Sequence, residues 1–161
     1  MSPPTLLVHR IFISDGHNFF GRHGRAPATH AIREVAAVEC VAGRGLRGDR
    51  FFDSPENHKG QVTLFALETF EALRLALERP EAAASALRRN LLVSGAELNE
   101  FVGCEFELQE IRLIGVEECR PCYWMNTAIG PGAEDWLRGR GGLRCRILTS
   151  GWLRTRVEAP C

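Results

Sequence analysis

CEFELQEIRLIGV, residues 104–116, decides the fold. Cys104, Phe106 and Leu108 alternate with charged residues, and Ile111 and Leu113 resume the alternation after Gln109-Glu110. A period of two sets one face on a core and the other toward solvent, so the stretch predicts two strands or one bulged strand. Downstream, residues 144–149 and 152–157 read as a hairpin with Ser150-Gly151 at its turn. Arg144 and Arg146 fall on its first strand, one expected to face in and one out. Upstream, 5–13, 31–41, 61–66 and Asn90–Val93 read as further strands.

The period changes once. Phe70, Leu73 and Leu77, between Glu68 and Arg79, form a helix face. Pro80 stops that helix and can open another through EAAASALRR, residues 81–89. A short helix is expected at Glu134–Arg138 within the mixed stretch 123–140, and SGAELNEFVG, residues 94–103, is turn-rich. Strands, then a helix pair, then strands, without regular βαβ alternation, predict a mostly antiparallel sheet or barrel with attached helices: a mostly β, α+β chain with peripheral helices. Two loops interrupt it, 14–30 and 42–60. Both are rich in Gly and Arg, and loops longer than about 15 residues tend to carry function.

The chain has 161 residues, which predicts a single domain over 1–161. Apolar residues make up 45% and charged residues 25%, which sets disorder and coiled coil aside. Twenty basic residues balance twenty acidic ones, so a protein living on nucleic acid is not expected. Nineteen of the basic residues are Arg, and Lys59 stands alone. No apolar run reaches the roughly 18 residues a membrane helix needs, and the start does not read as a signal peptide. A cytoplasmic protein with reduced thiols is expected, so a close pair of its six Cys is a candidate for chemistry.

That pair lies in EECRPCYWMN, residues 117–126, as Cys119 and Cys122 around Arg120 and Pro121. Arg120 would attract a thiolate, the form that acts as nucleophile or metal ligand. Three chemistries fit: dithiol exchange, a zinc site completed by Cys40, Cys104, Cys145, His17, His23 or His58, and one working Cys with a helper. HNFFGRHG, residues 17–24, sets His17, Asn18, Arg22 and His23 around Phe19 and Phe20 between glycines, a composition suited to a flat ring with anionic groups. VAGRGLRGDRFF, residues 41–52, alternates Gly with Arg44, Arg47 and Arg50 before and after Asp49. Gly amides and Arg forks suit a phosphate, although neither a P-loop nor a dinucleotide fingerprint is present. Arg88, Arg89 and Asn90 sit where the second helix meets a strand, as caps or as ligand contacts.

In order, VAGRGLRGDRFF, LRRNLLVSGAELNEFVGCEFEL, EECRPCYWMN and GGLRCRILTSG resemble the MOSC family, named for the C-terminal domain of molybdenum-cofactor sulfurases. HNFFGRHG resembles a small stand-alone bacterial branch. The resemblance spans roughly residues 5–151. It implies a largely antiparallel MOSC-type β-barrel and a cleft with one key cysteine, here Cys122, carrying sulfur as a persulfide or ligating molybdenum. It implies that the chain binds molybdenum cofactor (molybdopterin), with Arg89-Asn90 in the anion pocket. His17, Asn18, Phe20, Arg22, His23, Arg47, Asp49, Arg88 and Arg120 complete the expected cofactor-binding set. The implied roles are sulfur carriage for cofactor sulfuration or reduction of N-hydroxylated compounds, as sulfurtransferase or molybdenum-dependent reductase. The implied partners are a cysteine desulfurase, a molybdoenzyme or an electron-donor protein, with neither nucleic acid nor membrane. The chain has no counterpart of the sulfurases' desulfurase domain, so chemistry free of pyridoxal phosphate is expected. Thr155-Arg156 stands where many relatives carry Gly-Asp. The alternative from the residues alone is a thiol redox or zinc protein using Cys119 and Cys122.

Overall fold

Ten strands and three short helices follow from these patterns in a computed structural model that describes residues 5–16, 31–54 and 58–156. The strands are β1 Leu7–Ser14, β2 Ile32–Val35, β3 Ala37–Val41, β4 Gly45–Leu46, β5 Val62–Ala66, β6 Leu91–Ser94, β7 Glu105–Leu108, β8 Ile111–Glu118, β9 Leu143–Ile147 and β10 Gly151–Arg154. The helices are α1 Leu67–Ala76, α2 Trp124–Ala128 and α3 Ala133–Leu137. The deciding stretch is two strands: β7 and β8 pair antiparallel from Leu108↔Ile111 to Glu105↔Ile114.

Seven strands form one sheet in the order β2-β1-β6-β5-β9-β8-β7, and β10-β3-β4 form another. Every named pairing is antiparallel except β5 with β6, which α1 connects as a crossover. The fold is thus mostly β and α+β, as expected. The expected barrel does not close, because the large sheet ends on β2 and β7, which do not pair with each other. Instead the small sheet covers one face. Ile11, Leu64, Leu91, Leu113, Leu143 and Cys145 pack there against Val38, Cys40, Leu46 and Leu153. Full burial of each Leu contributes roughly 1.5–3 kcal/mol. On the opposite face Phe12, Phe65 and Leu92 meet Phe70 and Leu73 of α1, Met125, and Ala133 and Leu137 of α3.

Three expectations need correction. The second helix is one 3-10 turn, Ala84–Leu87; Arg88 then takes a left-handed backbone (φ 56°) and turns the chain into β6. Residues 31–41 are two strands in different sheets, broken at Ala36. The C-terminal hairpin does not form. β9 already has β5 and β8 as neighbours, so it offers no free edge, and β10 pairs with β3 and buries Leu153 between the sheets. Among the described residues no helix is long and apolar enough to cross a membrane.

Candidate functional site

Helices cover only part of the outer face of the large sheet. Toward β8 and β9 the residues on that face turn polar. Thr63 of β5, Arg144 of β9 and Glu117 of β8 lie side by side in register. Arg144 and Arg146 both look this way, because residues two apart on a strand share a face, and Leu143, Cys145 and Ile147 take the core side. The expectation that they face opposite ways is thereby corrected.

Asn90, just before β6, ties the strand ends together. Its Nδ2 donates to the Phe12 carbonyl at 3.1 Å, and its Oδ1 accepts the Thr63 amide at 3.0 Å and the Thr63 hydroxyl at 3.1 Å. The residue is 1% exposed, so the carboxamide's hydrogen bonds lie within the protein. Arg89 is engaged in the same manner. Its Nε donates to the Gly141 carbonyl at 2.9 Å, Nη1 to Leu87 at 3.0 Å and Nη2 to Cys119 at 3.1 Å. The Cys119 amide in turn donates to the Gly142 carbonyl at 2.8 Å. The two chains approach so closely that a Cβ on Gly141 would collide with the Cys119 carbonyl, so only glycine fits. Arg89 therefore pins the end of β8 to the loop before β9.

Asp49 and Arg50 fill the ground beside this clamp. The Asp49 carboxylate is fully buried, accepts the Ser14 amide at 3.0 Å and pairs with Arg50 Nη1 at 3.4 Å. Arg50 donates to the Arg88 carbonyl at 3.3 Å and lies over the Phe51 ring at 4.7 Å. Arg88 donates to the Gly16 carbonyl at 3.3 Å. Burial, then the neighbouring Arg50, pull Arg88 down to about 10, with Asp49 opposing, so it stays charged at neutral pH. Burial also lowers Arg50, against the attraction of Asp49. Phe51 stacks on His58 with centroids 5.1 Å apart. Beyond His58 come Arg144, Lys59 and Glu117. Lys59 holds the Glu117 carboxylate at 2.7 Å, and that hydrogen bond keeps Glu117 below the ordinary carboxylate range.

The two cysteines of the C-x-x-C pair end in different surroundings. Cys119 is buried under the clamp, while Cys122 is exposed just before α2, its carbonyl accepting the Met125 amide at 2.9 Å. Arg120 is exposed and lines a depression of about 390 Å³ with Glu118, Pro121, Glu134 and Arg138. Burial pushes the Cys145 thiol far up, with Cys119 adding to the rise, and pushes Cys40 up to about 12.

The structure thus gathers Asp49, Arg88, Arg89 and Asn90 at one end of the outer face. It places Arg47 apart, on the outside of the small sheet, paired with Glu39 at 2.6 Å and stacked over Phe52 at 5.1 Å. His17, Asn18, Phe20, Arg22 and His23 lie outside the described residues. Sequence reasoning counted Arg50 only among the Arg forks of the second loop, gave Arg144 no site role and considered His58 only for zinc. The available signal was strand alternation, which sets Arg144 beside Glu117 once the β8–β9 register is known. Among the described residues no three His, Cys, Asp or Glu gather as a metal cluster. The exposed Cys122 thiol suits a soft centre, and a face where Arg and Lys outnumber carboxylates suits an anionic ligand.

A family model described as MOSC domain matches residues 48–158. No curated protein matches significantly. The fold is similar to the crystal structure of the YuaD protein from Bacillus subtilis (TM-score 0.70, 15% identity, covering 96% of this chain and 94% of that one). It is also similar to YiiM from Escherichia coli (TM-score 0.64, 15% identity, 96% and 66%) and YiiM from Geobacillus stearothermophilus (TM-score 0.65, 15% identity, 92% and 71%).

Proposed function

We propose, from the premise that the chain belongs to the MOSC domain family, that the outer face binds the anionic molybdenum cofactor and that Cys122 is its working thiol. MOSC domains are generally linked to molybdenum cofactor binding. The observation that carries the reading is the contrast within EECRPCYWMN: Cys122 is exposed, and Cys119 is buried beneath Arg89. Arg50 and Arg88 supply positive charge for the ligand's anionic end. Asn90 and Arg89 act on the backbone, holding β1, β5 and β6 and the end of β8 in place. When bound, the cofactor supplies a redox-active molybdenum held by soft sulfur.

In the carrier form of this reading the Cys122 thiolate attacks the outer sulfur of a persulfide on a cysteine desulfurase. The donor's S–S bond breaks, its cysteine leaves as thiolate, and Cys122 keeps the sulfur. In the reductase form Cys122 would hold molybdenum, which would supply the chemistry for reducing an N-hydroxylated compound, two electrons from an electron-donor protein and two protons cleaving the N–O bond with loss of water.

The test is molybdenum, pterin and persulfide content of the protein purified from a cofactor-competent host, alongside Cys122→Ser. Molybdenum with pterin, lost in Cys122→Ser, supports the reductase form. Persulfide without molybdenum, lost in the same variant, supports the carrier form. Equal content in wild type and variant removes Cys122 from the function.

A further inference from the structure

The depression of about 390 Å³ beyond the end of β8 brings charges of both signs to one space: Glu118, Arg120, Glu134 and Arg138, with Pro121 between them. Small-molecule sites commonly enclose roughly 300–1,000 Å³. Arg138 is paired outside the depression, with Asp135 at 2.8 Å. Among the described residues Glu118, Arg120 and Glu134 form no ion pair, and Glu118 accepts only the Gly141 amide, at 3.3 Å. Opposite charges that line one space without meeting suit a ligand that carries both.

The walls of the depression are fixed. Pro121 packs so closely on Gly141 that a Cβ there would lie 2.9 Å from Pro121 Cδ. Asn126 of α2 accepts the Glu134 amide at 2.9 Å, which sets the start of α3. Cys122 stands in the chain between these two walls. It follows Pro121 directly, it is exposed, and its carbonyl accepts the Met125 amide at 2.9 Å where α2 begins.

We propose that this depression binds a free zwitterionic amino acid that carries sulfane sulfur, cysteine persulfide, and presents its outer sulfur to Cys122. The proposal rests on the reading of Cys122 as the working thiol, in its carrier form, and names a small-molecule donor in place of a protein-bound one. Arg120 takes the α-carboxylate with its fork, and Glu118 and Glu134 accept from the three donors of the α-ammonium. The Cys122 thiolate attacks the outer sulfur of the neutral persulfide. The S–S bond breaks, cysteine leaves as thiolate, and Cys122 keeps the sulfur with its proton. No oxidant or reductant is consumed.

The experiment uses symmetric disulfides as probes, because the same attack of a thiolate on sulfur can be timed with them. L-Cystine carries both α-groups on each half, cystamine lacks the carboxylates, and dithiodipropionate lacks the ammonium groups. Mixed-disulfide formation at Cys122 is followed by peptide mass spectrometry. Each rate is divided by that at Cys104, the other exposed thiol among the described residues. On this scale L-cystine should react roughly tenfold or more faster than either other probe, the gain expected for a charge-assisted hydrogen bond. General surface charge would instead order the probes by net charge, with cystine between the other two. Arg120→Gln should remove the advantage over cystamine, and Glu134→Gln the advantage over dithiodipropionate; thermal melting confirms the fold of each. Equal relative rates for the three probes, or an advantage unchanged in the folded variants, overturns the proposal and leaves Cys122 a reactive thiol. Modification of Cys104 without modification of Cys122 by any probe overturns the proposal together with the reading of Cys122 on which it rests.

Discussion

The outer face of the large sheet has two halves that share strands and differ in chemistry. At one end Phe12, Phe65 and Leu92 lie under α1 and α3. At the other, along the same β5 and across into β8 and β9, the positions are Thr63, Arg144 and Glu117 under the loop that carries Arg50 and His58. The hydrogen-bonded ladder continues through both halves. What changes is which side chain occupies alternate positions, and hence what can lie on top. An apolar half can only be sealed by more protein, whereas a polar half with charges in excess can be completed by a ligand. The inner face is the reference for both, since it is apolar throughout.

Substitutions should sort along that contrast. The largest effect belongs to the inner face: Leu64→Ala should destabilise the fold by about 2–5 kcal/mol in urea unfolding, without changing ligand chemistry in what remains folded. A loss below 1 kcal/mol would mean that the two sheets are less tightly packed than they look. Arg89→Ala comes next. It removes three bonds to the carbonyls of Leu87, Cys119 and Gly141, so stability should fall by roughly 1.5–3 kcal/mol, read by the same unfolding curves. Weakened ligand binding at unchanged stability would move Arg89 from clamp to contact.

The cysteine pair should separate stability from chemistry. Cys122→Ser is exposed and should shift stability by less than about 0.5 kcal/mol while abolishing sulfur or molybdenum loading. Cys119→Ser should retain loading and lose some stability, because it places a hydroxyl in a buried site. Equal loss of loading in both variants would favour a dithiol or zinc mechanism.

The smallest effect is the pH slope of His58. Burial first, then Arg144, Lys59 and Arg146, hold the folded residue below the ordinary histidine value. The unfolded chain therefore takes up its proton at higher pH than the folded one. This contribution to stability is complete above about pH 6.5 and is lost as pH falls through the folded value. His58→Gln should flatten that part of the pH–stability profile; an unchanged profile would show that His58 is not held neutral.

Much of this was legible in the chain. The alternation through Cys104, Phe106, Leu108, Ile111 and Leu113 marked strand structure, two strands or one bulged, of which the structure has the two, and the spacing of Phe70 and Leu73 marked α1, because such periods are local properties of the backbone. Asp49, Arg88, Arg89 and Asn90 stood out as charged or polar residues among glycines and strand starts, and the structure brings them together. The division of labour among them was not legible. Arg89 and Asn90 look like ligand contacts in sequence, yet their hydrogen bonds end on carbonyls and on Thr63, which depends on partners 27 to 78 residues away.

By itself the sequence determined that strands dominate, that a helix follows the strand at 61–66, and that a C-x-x-C pair follows a strand. Composition and short-range periodicity carry that information. Only the tertiary structure decided that β9 and β10 belong to different sheets, since that depends on which edge is free. Only it decided that Cys119 is buried and Cys122 exposed, three residues apart. It also decided that Arg144 and His58 both lie against Gly60, because residues 58–60 and β9 are brought together by packing and by no pattern within either segment.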